Sequence, residues 1–317
     1  MWPEFLAQSL HLPAPCPAET GLLPNIPNFV GAPVTEHTEC TNFAQGSSRV
    51  SGIFAPSSAS LQAAPFSQVN IGLMASPVTS QMASYLTRMG GSYKGTELVT
   101  VLAGGNDAFM NINGVADAAG GGATAVGAAI TAGWDATVQN AVAAGGAAAV
   151  QAAATAAVTS MGTAGAQLAG LVGSQVVGKG AKYVVVVNLP DIAQTPFAAS
   201  LDATTRGLIN QMVTTFNSQL AAGLQGMPGV ILVDAYTQGH DQNANPAQYN
   251  LSNVTATACD LASPANPLAS SLGCTAASLV AGDPSHYEFA DTVHPTPYAH
   301  QLLAQFVAVQ MAKAGWL

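Results

Sequence analysis

The chain is 317 residues long and 49% apolar, enough for a large core, while only 7% of its residues are charged against about 25% in an average domain. Its formal net charge of −9, with seven Lys and Arg in all, repels phosphate backbones and anionic headgroups, which excludes nucleic-acid binding as a function class. A polar surface made from Ser, Thr, Asn and Gln rather than Lys and Glu fits an exported protein.

Residues 1–65 are rich in Pro, Ser, Asn and Gly and read as loops, apart from a short helix over Trp2 to Leu10. From Pro77 to Gly90, the spacing of Met82, Tyr85, Leu86 and Met89 predicts a helix that stops at Gly90-Gly91. Glu97 to Leu102 predicts a strand running straight into Ala103-Gly104-Gly105-Asn106-Asp107, a glycine-rich turn of the kind that exposes side chains at a sheet edge.

The uncharged run from Ala141 to Gly178 is long enough to raise a transmembrane reading. Gln151, Thr155, Thr159, Thr163 and Gln167 interrupt it, and Ala is only weakly apolar, so a long helix packed on a sheet is expected instead. Val150, Ala154, Val158, Met161, Leu168 and Val172 define its expected buried face. Tyr183 to Val187 predicts a strand covered on both faces, ending in the loop Asn188-Leu189-Pro190-Asp191.

A helix from about Thr204 to Leu224, a strand from Val230 to Val233, a polar loop and a closing helix from Pro297 to Lys313 complete the chain. Such alternation predicts an α/β fold around a parallel sheet, in one domain spanning residues 1–317.

The four cysteines, Cys16, Cys40, Cys259 and Cys274, allow three pairings. Joining near neighbours is the simplest and would staple two loop-rich stretches. No CxxC or His/Cys cluster points to zinc. Disulfides imply an oxidising compartment, yet Met1-Trp2-Pro3-Glu4 has no basic or apolar leader, so either the protein is intracellular or its true start lies upstream.

Asp291-x-x-His294-Pro295, set before the last helix, has the parts of an acid–base pair. A histidine titrates near neutrality, and a carboxylate on its other ring nitrogen fixes the tautomer. Taken alone, the same pair occurs as surface charge partners. Asn106, after a strand and a double glycine, could donate its side-chain amide to an oxyanion, and Gly46 could present a bare backbone N–H. Each also reads as an ordinary turn residue.

The order Gly46, then Gly104-Gly105-Asn106-Asp107, then Asp291-x-x-His294-Pro295 resembles the SGNH (GDSL-type) hydrolases, in particular their phospholipase/lecithinase/haemolysin-like bacterial branch. Trp2-Pro3-Glu4-Phe5-Leu6-Ala7, Asn42-Phe43-Ala44-Gln45-Gly46, Asn188-Leu189-Pro190-Asp191, Thr195-Pro196-Phe197, Phe216-Asn217, Asp234-x-Tyr236 and Phe289 to Thr296 extend the resemblance over essentially the whole chain.

It implies a three-layer α/β/α sandwich around a parallel sheet of about five strands. It implies an ester hydrolase with Asp291 as triad acid, His294 as base, Gly46 and Asn106 as oxyanion donors, and no metal or cofactor. The expected partner is a small-molecule or lipid ester, with no nucleic acid and no membrane span, and the location is secreted or periplasmic.

The departure lies in the nucleophile. No Gly-Asp-Ser occurs in the chain, whose only Gly-Asp is Gly282-Asp283. Ser47 and Ser48 lie beside the oxyanion glycine rather than at the nucleophile's place. The expectation is an N-terminally truncated domain whose first strand and serine lie upstream. The alternative is a remnant that kept the scaffold, lost catalysis and serves as a binding module. Acyl specificity and oligomeric state are not legible at this level.

Overall fold

The computed structural model describes residues 1–22, 32–56 and 75–317. The chain divides into two compact units. One comprises Pro15–Val186 and Gln211–Leu232; the other comprises Met1–Ala14, Val187–Asn210 and Val233–Leu317.

The first unit is built around parallel strands. An antiparallel pair, β1 (Glu19–Leu22) and β2 (Ala32–Glu36), precedes them, and near it the Cys16–Cys40 disulfide closes the loop, with Cα atoms 5.2 Å apart. This pair lies inside the stretch expected to be loops. Its polar, short strands carry no alternating apolar signal. Helix α1 (Trp2–Ser9) belongs to the other unit, and α2 (Val78–Arg88) stops one residue before Met89, close to its expected bounds.

The main sheet has the order β3 (Leu98–Val101), β4 (Tyr183–Val187), β5 (Val230–Val233), three strands among the described residues where about five were expected. Leu98 to Val101 pair in parallel register with Tyr183 to Val186. Val184 to Val187 are wholly buried, as a continuous apolar run on a doubly covered strand requires. The family fold class, a mixed α/β protein with a parallel sheet, is what the chain adopts.

Between β3 and β4 lie four helices, and the long helix expected within residues 141–178 is the last of them, starting at Gly146. They are α3 (Gly105–Ala118), α4 (Gly122–Ala132), α5 (Ala136–Ala143) and α6 (Gly146–Leu171), the last ending in a wider turn over Val172–Val176. Gly145 and Gly146 break the run at φ +70° and +77°, values that a right-handed helix does not contain. The buried stripe of α6 is Ala149, Ala153, Ala157, Met161, Gly165, Leu168 and Val172.

The expected face is therefore shifted by one residue in its first half, because alanine and glycine are chosen where another helix comes close. A Cβ on Gly165 would lie 2.3 Å from the Phe216 carbonyl oxygen. Phe216, with Met212, Val213 and Leu220, is wholly buried on the part of α8 (Ala203–Leu224) that belongs to this unit. No described helix is long and apolar enough to cross a membrane.

In the other unit, α1 packs on α10 (Pro297–Lys313). Trp2 and Leu6 on one helix and Val307 and Met311 on the other are buried. The segment expected to be a polar loop holds α9 (Ala235–Ala244) and a parallel pair, β6 (Asn253–Thr257) with β7 (Tyr287–Phe289). These strands are short and half-exposed, so they leave no hydrophobic pattern to read. The short helix α7 (Pro196–Ala199) is capped by Thr195. The Cys259–Cys274 disulfide spans a Cα separation of 6.0 Å. Both cysteine pairs are the near-neighbour pairs.

Candidate active site

In the unit that ends the chain, β7 delivers the backbone directly to Asp291. The loop after it closes on itself: Ala290 N–H donates to the His294 carbonyl at 2.8 Å, and Phe197 N–H donates to the Thr292 carbonyl at 2.9 Å. Thr296 then caps α10, its hydroxyl accepting from Ala299 N–H at 3.1 Å, with Pro297 at the first helical position. A loop pinned at both ends holds the Asp-x-x-His spacing in one conformation.

Asp291 is 3% exposed, and three backbone N–H groups donate to its carboxylate, from Val293 (2.9 Å), His294 (2.8 Å) and Ser271 (2.7 Å). His294 Nδ1 lies 2.8 and 2.9 Å from its two oxygens. Burial alone would push the Asp291 carboxyl up, but the His294 contact and the three N–H donors outweigh it and hold the group well below the usual carboxylate range. The Asp291 contact in turn raises His294 above the ordinary imidazole value, against the opposing effect of partial burial. The hydrogen bonds of this ring run through Nδ1, and its side chain is 61% exposed, so Nε2 is the nitrogen offered for proton transfer.

In the unit built on the main sheet, Gly46 and Asn106 are brought onto neighbouring segments. Gly46 is exposed in a tight turn, with nothing within 4 Å of where a side chain would start. Asn106 is not in a loop, as the turn residues around it led one to expect. It sits in the first turn of α3, which begins where Gly104 turns the chain at φ +113°. A Cβ on Gly104 would lie 2.4 Å from the Phe216 ring, so glycine is required on two counts. The Asn106 amide donates to the Ser48 carbonyl at 2.9 Å, and since a carboxamide nitrogen has two hydrogens, one remains for another acceptor. The Ser48 hydroxyl donates to the Ser76 carbonyl at 2.8 Å and accepts from Gln81, so it is held in the scaffold.

The sequence reading missed the group that fixes these segments, Arg49 with Asp107. Arg49 Nε donates to Asp107 Oδ1 at 3.0 Å, and Val50 N–H donates to Oδ2 at 2.9 Å. The remaining guanidinium donors reach the carbonyls of Thr131 (2.8 Å), Ala132 (3.1 Å) and Phe54 (3.5 Å). Both side chains are almost wholly buried. Burial pushes Asp107 up, opposed by the Arg49 charge. The available signal was an arginine among only seven basic residues, close after Gly46 and matched by an aspartate directly after Asn106. A cleft of about 360 Å³ borders this pair, lined in part by Ile53, Phe54, Ile130, Ala132 and Ala164. By sequence, the Pro- and Ser-rich stretch 52–68 and the polar loop 238–288 are the expected lining of a substrate pocket; residues 52–54 line this cleft, and 57–68 lie outside the described residues.

A second aspartate–histidine contact joins the Asn188-Leu189-Pro190-Asp191 motif to α9. Asp191 Oδ2 lies 3.0 Å from His240 Nε2, while Gln194 reaches His240 Nδ1 at 2.7 Å and Asn210 bridges Asp191 to the Tyr236 hydroxyl. Both ring nitrogens of His240 are engaged, which makes this contact a brace rather than a proton acceptor.

Strands in parallel with helices between them place the chain among the α/β proteins. The family model described as GDSL-like Lipase/Acylhydrolase matches residues 1–307, and the chain belongs to that family. No curated protein matches it. Family membership makes acyl-ester hydrolysis the class of activity and a small-molecule ester the class of substrate. Two disulfides, with no membrane-crossing helix among the described residues, are compatible with a secreted or periplasmic protein.

Proposed function

We propose that this chain is the acid, base and oxyanion-donating part of a carboxylic-ester hydrolase working by a Ser-His-Asp triad. The observation that carries this reading is the exposed His294 ring, gripped through Nδ1 by a buried Asp291 carboxylate that three backbone N–H groups hold. The nucleophile is the serine of a Gly-Asp-Ser segment encoded upstream of Met1.

In this mechanism His294 Nε2 takes the proton of the serine hydroxyl as its oxygen bonds to the acyl carbon. The carbonyl oxygen becomes an oxyanion, accepting from Gly46 N–H, the second Asn106 amide hydrogen and the serine's own N–H. The tetrahedral centre collapses, the C–O bond to the alcohol breaks, and the alcohol leaves with the proton from His294. Water then repeats the sequence on the acyl-serine and releases the acid. Asp291 stays ionised throughout and stabilises the imidazolium. The substrate is a small-molecule or lipid ester, and the compartment is secreted or periplasmic.

A second reading, a non-catalytic binding module, is favoured by one observation: Gly-Asp-Ser is absent from all 317 residues. The reading frame upstream of Met1 separates the two. With the upstream block joined to the chain, the triad reading expects stoichiometric labelling by a fluorophosphonate probe at the Gly-Asp-Ser serine. An immediate in-frame stop, or labelling of a serine within the 317 residues, would overturn it.

A further inference from the structure

Asp291 takes two of its three backbone donors from its own loop, Val293 and His294, but the third comes from twenty residues upstream. Ser271 N–H donates to Oδ2, the oxygen nearest to His294 Nδ1. Ser271 opens the short turn Ser271–Gly273, which Ser270 caps by accepting from Leu272 N–H at 3.2 Å. Next to that turn, Cys274 is tied by its disulfide to Cys259, and Cys259 is itself anchored by its N–H to the Ala290 carbonyl at 2.9 Å. The disulfide therefore joins the segment bearing the donor to the strand end that bears Asp291. Outside this anchor the segment is poorly packed, with Leu268 and Leu272 exposed. Inside the segment the buried Asn266 accepts from Ser270 N–H at 3.4 Å and backbone turns link Asp260 to Cys274, while the disulfide ties the segment covalently to the strand end beside Asp291.

We propose that the disulfide-closed segment Asp260–Cys274 is a positioning element for the triad acid, with the Ser271 backbone N–H as the positioning group. This rests on the reading of Asp291 and His294 as acid and base. Without Ser271 the backbone would hold the carboxylate at Oδ1 alone, and Oδ2 would be met only by the His294 ring that it has to orient. Two donors on Oδ1 and one on Oδ2 fix its plane, and with it the plane of the imidazole. The side chain of Ser271 has no part in this, so the prediction separates backbone from side chain.

Ser271→Ala keeps the donor. Ser271→Pro removes it, and the backbone accommodates it: proline is favoured at the first position of a helical turn, and Ser270 already has the extended conformation a residue before proline needs (φ −148°, ψ 169°). The Asp291 carboxyl and the His294 ring, the two titrating groups in this contact, are followed by NMR across the acid range in the 317-residue chain, so the readout needs no turnover. A hydrogen bond to a charged group being worth about 1.5–3 kcal/mol, Ser271→Pro should raise the pH at which Asp291 protonates by roughly one to two units.

Ser271→Ala should leave that pH unchanged. The paired variant Cys259→Ser/Cys274→Ser, which keeps every donor but frees the segment, should move it in the same direction as proline and broaden the His294 signals. In the chain carrying its nucleophile block, Ser271→Pro should lower kcat about tenfold with KM unchanged. Identical titrations for alanine, proline and the paired serine variant would overturn the positioning role. That result is distinct from failure of the triad reading, which would show as retained hydrolysis in His294→Ala.

Discussion

Asp107 and Asp291 are both buried aspartates in contact with a basic side chain, at 3.0 Å from Arg49 Nε and 2.8 Å from His294 Nδ1. Around Asp107 the guanidinium is buried too, and its donors end on two carbonyls of α4 and on that of Phe54. Around Asp291 the partner ring faces solvent, and the carboxylate is held by backbone rather than by a fixed cation. Burial thus pushes Asp107 up, while N–H donors and the His294 contact pull Asp291 down. A permanent cation inside the protein braces the backbone. A titratable ring at its edge can take and return a proton.

If that division is right, the largest effect belongs to the ring. With the nucleophile block present, His294→Ala should lower turnover at least about a thousandfold, equivalent to about 4 kcal/mol or more of barrier, with folding intact by circular dichroism. Asp291→Asn should cost somewhat less. Retained turnover would place Asp291 and His294 with the braces.

The buried pair should answer in stability instead. Asp107→Ala leaves a buried guanidinium uncompensated and should cost about 3–5 kcal/mol in urea unfolding. The paired replacement Arg49→Met/Asp107→Leu should cost clearly less, because no charge is then stranded. Equal losses would mean that the carbonyl contacts of Arg49, rather than its charge pairing, hold the segment.

Asn106→Ala tests whether the brace serves the chemistry. Turnover should fall by about 10²–10³ with little change in KM, since the amide acts on the oxyanion more than on the substrate carbonyl. A mutant defective only in KM would make Asn106 a substrate-positioning residue.

The smallest effects lie in the pH dependence. His294 has a raised pKa, so its contribution to stability is complete below the unfolded value of about 6.5 and is lost as pH rises through the folded value. Asp291 has a lowered pKa, so its contribution is complete above about 3.9 and is lost as pH falls through the folded value. Glu288, three residues before Asp291, runs the other way: burial pushes its carboxyl up to about 7, and its Oε2 has no hydrogen-bond partner. The folded state there binds the extra proton, so stability declines from the unfolded value of about 4.3 up to about pH 7. The difference between the profiles of wild type and Glu288→Gln, measured by thermal unfolding at fixed salt, should show that decline alone. A flat difference would mean that Glu288 is solvated in the folded protein.

Sequence by itself determined the elements whose residues repeat a simple pattern. The β-branched run Tyr183–Val187 and the helix Pro297–Lys313 need no tertiary information, because a continuous apolar run marks a doubly covered strand and Thr296-Pro297 marks a helix start. The contact between Asp291 and His294 was equally legible, because both come from one short loop before a capped helix.

Only the tertiary structure decided the rest. It split the alanine-rich run at Gly145-Gly146, put Ala149, Ala153 and Ala157 on the buried face of α6, and set Gly165 against Phe216, where close approach selects for small size rather than hydrophobicity. It placed Asn106 in the first turn of a helix and paired Arg49 with Asp107 across 58 residues. It also brought Ser271 to Asp291 across twenty residues. Hydrogen bonds between distant segments have no period, and a backbone N–H has no letter of its own, so neither can be read before the chain has folded.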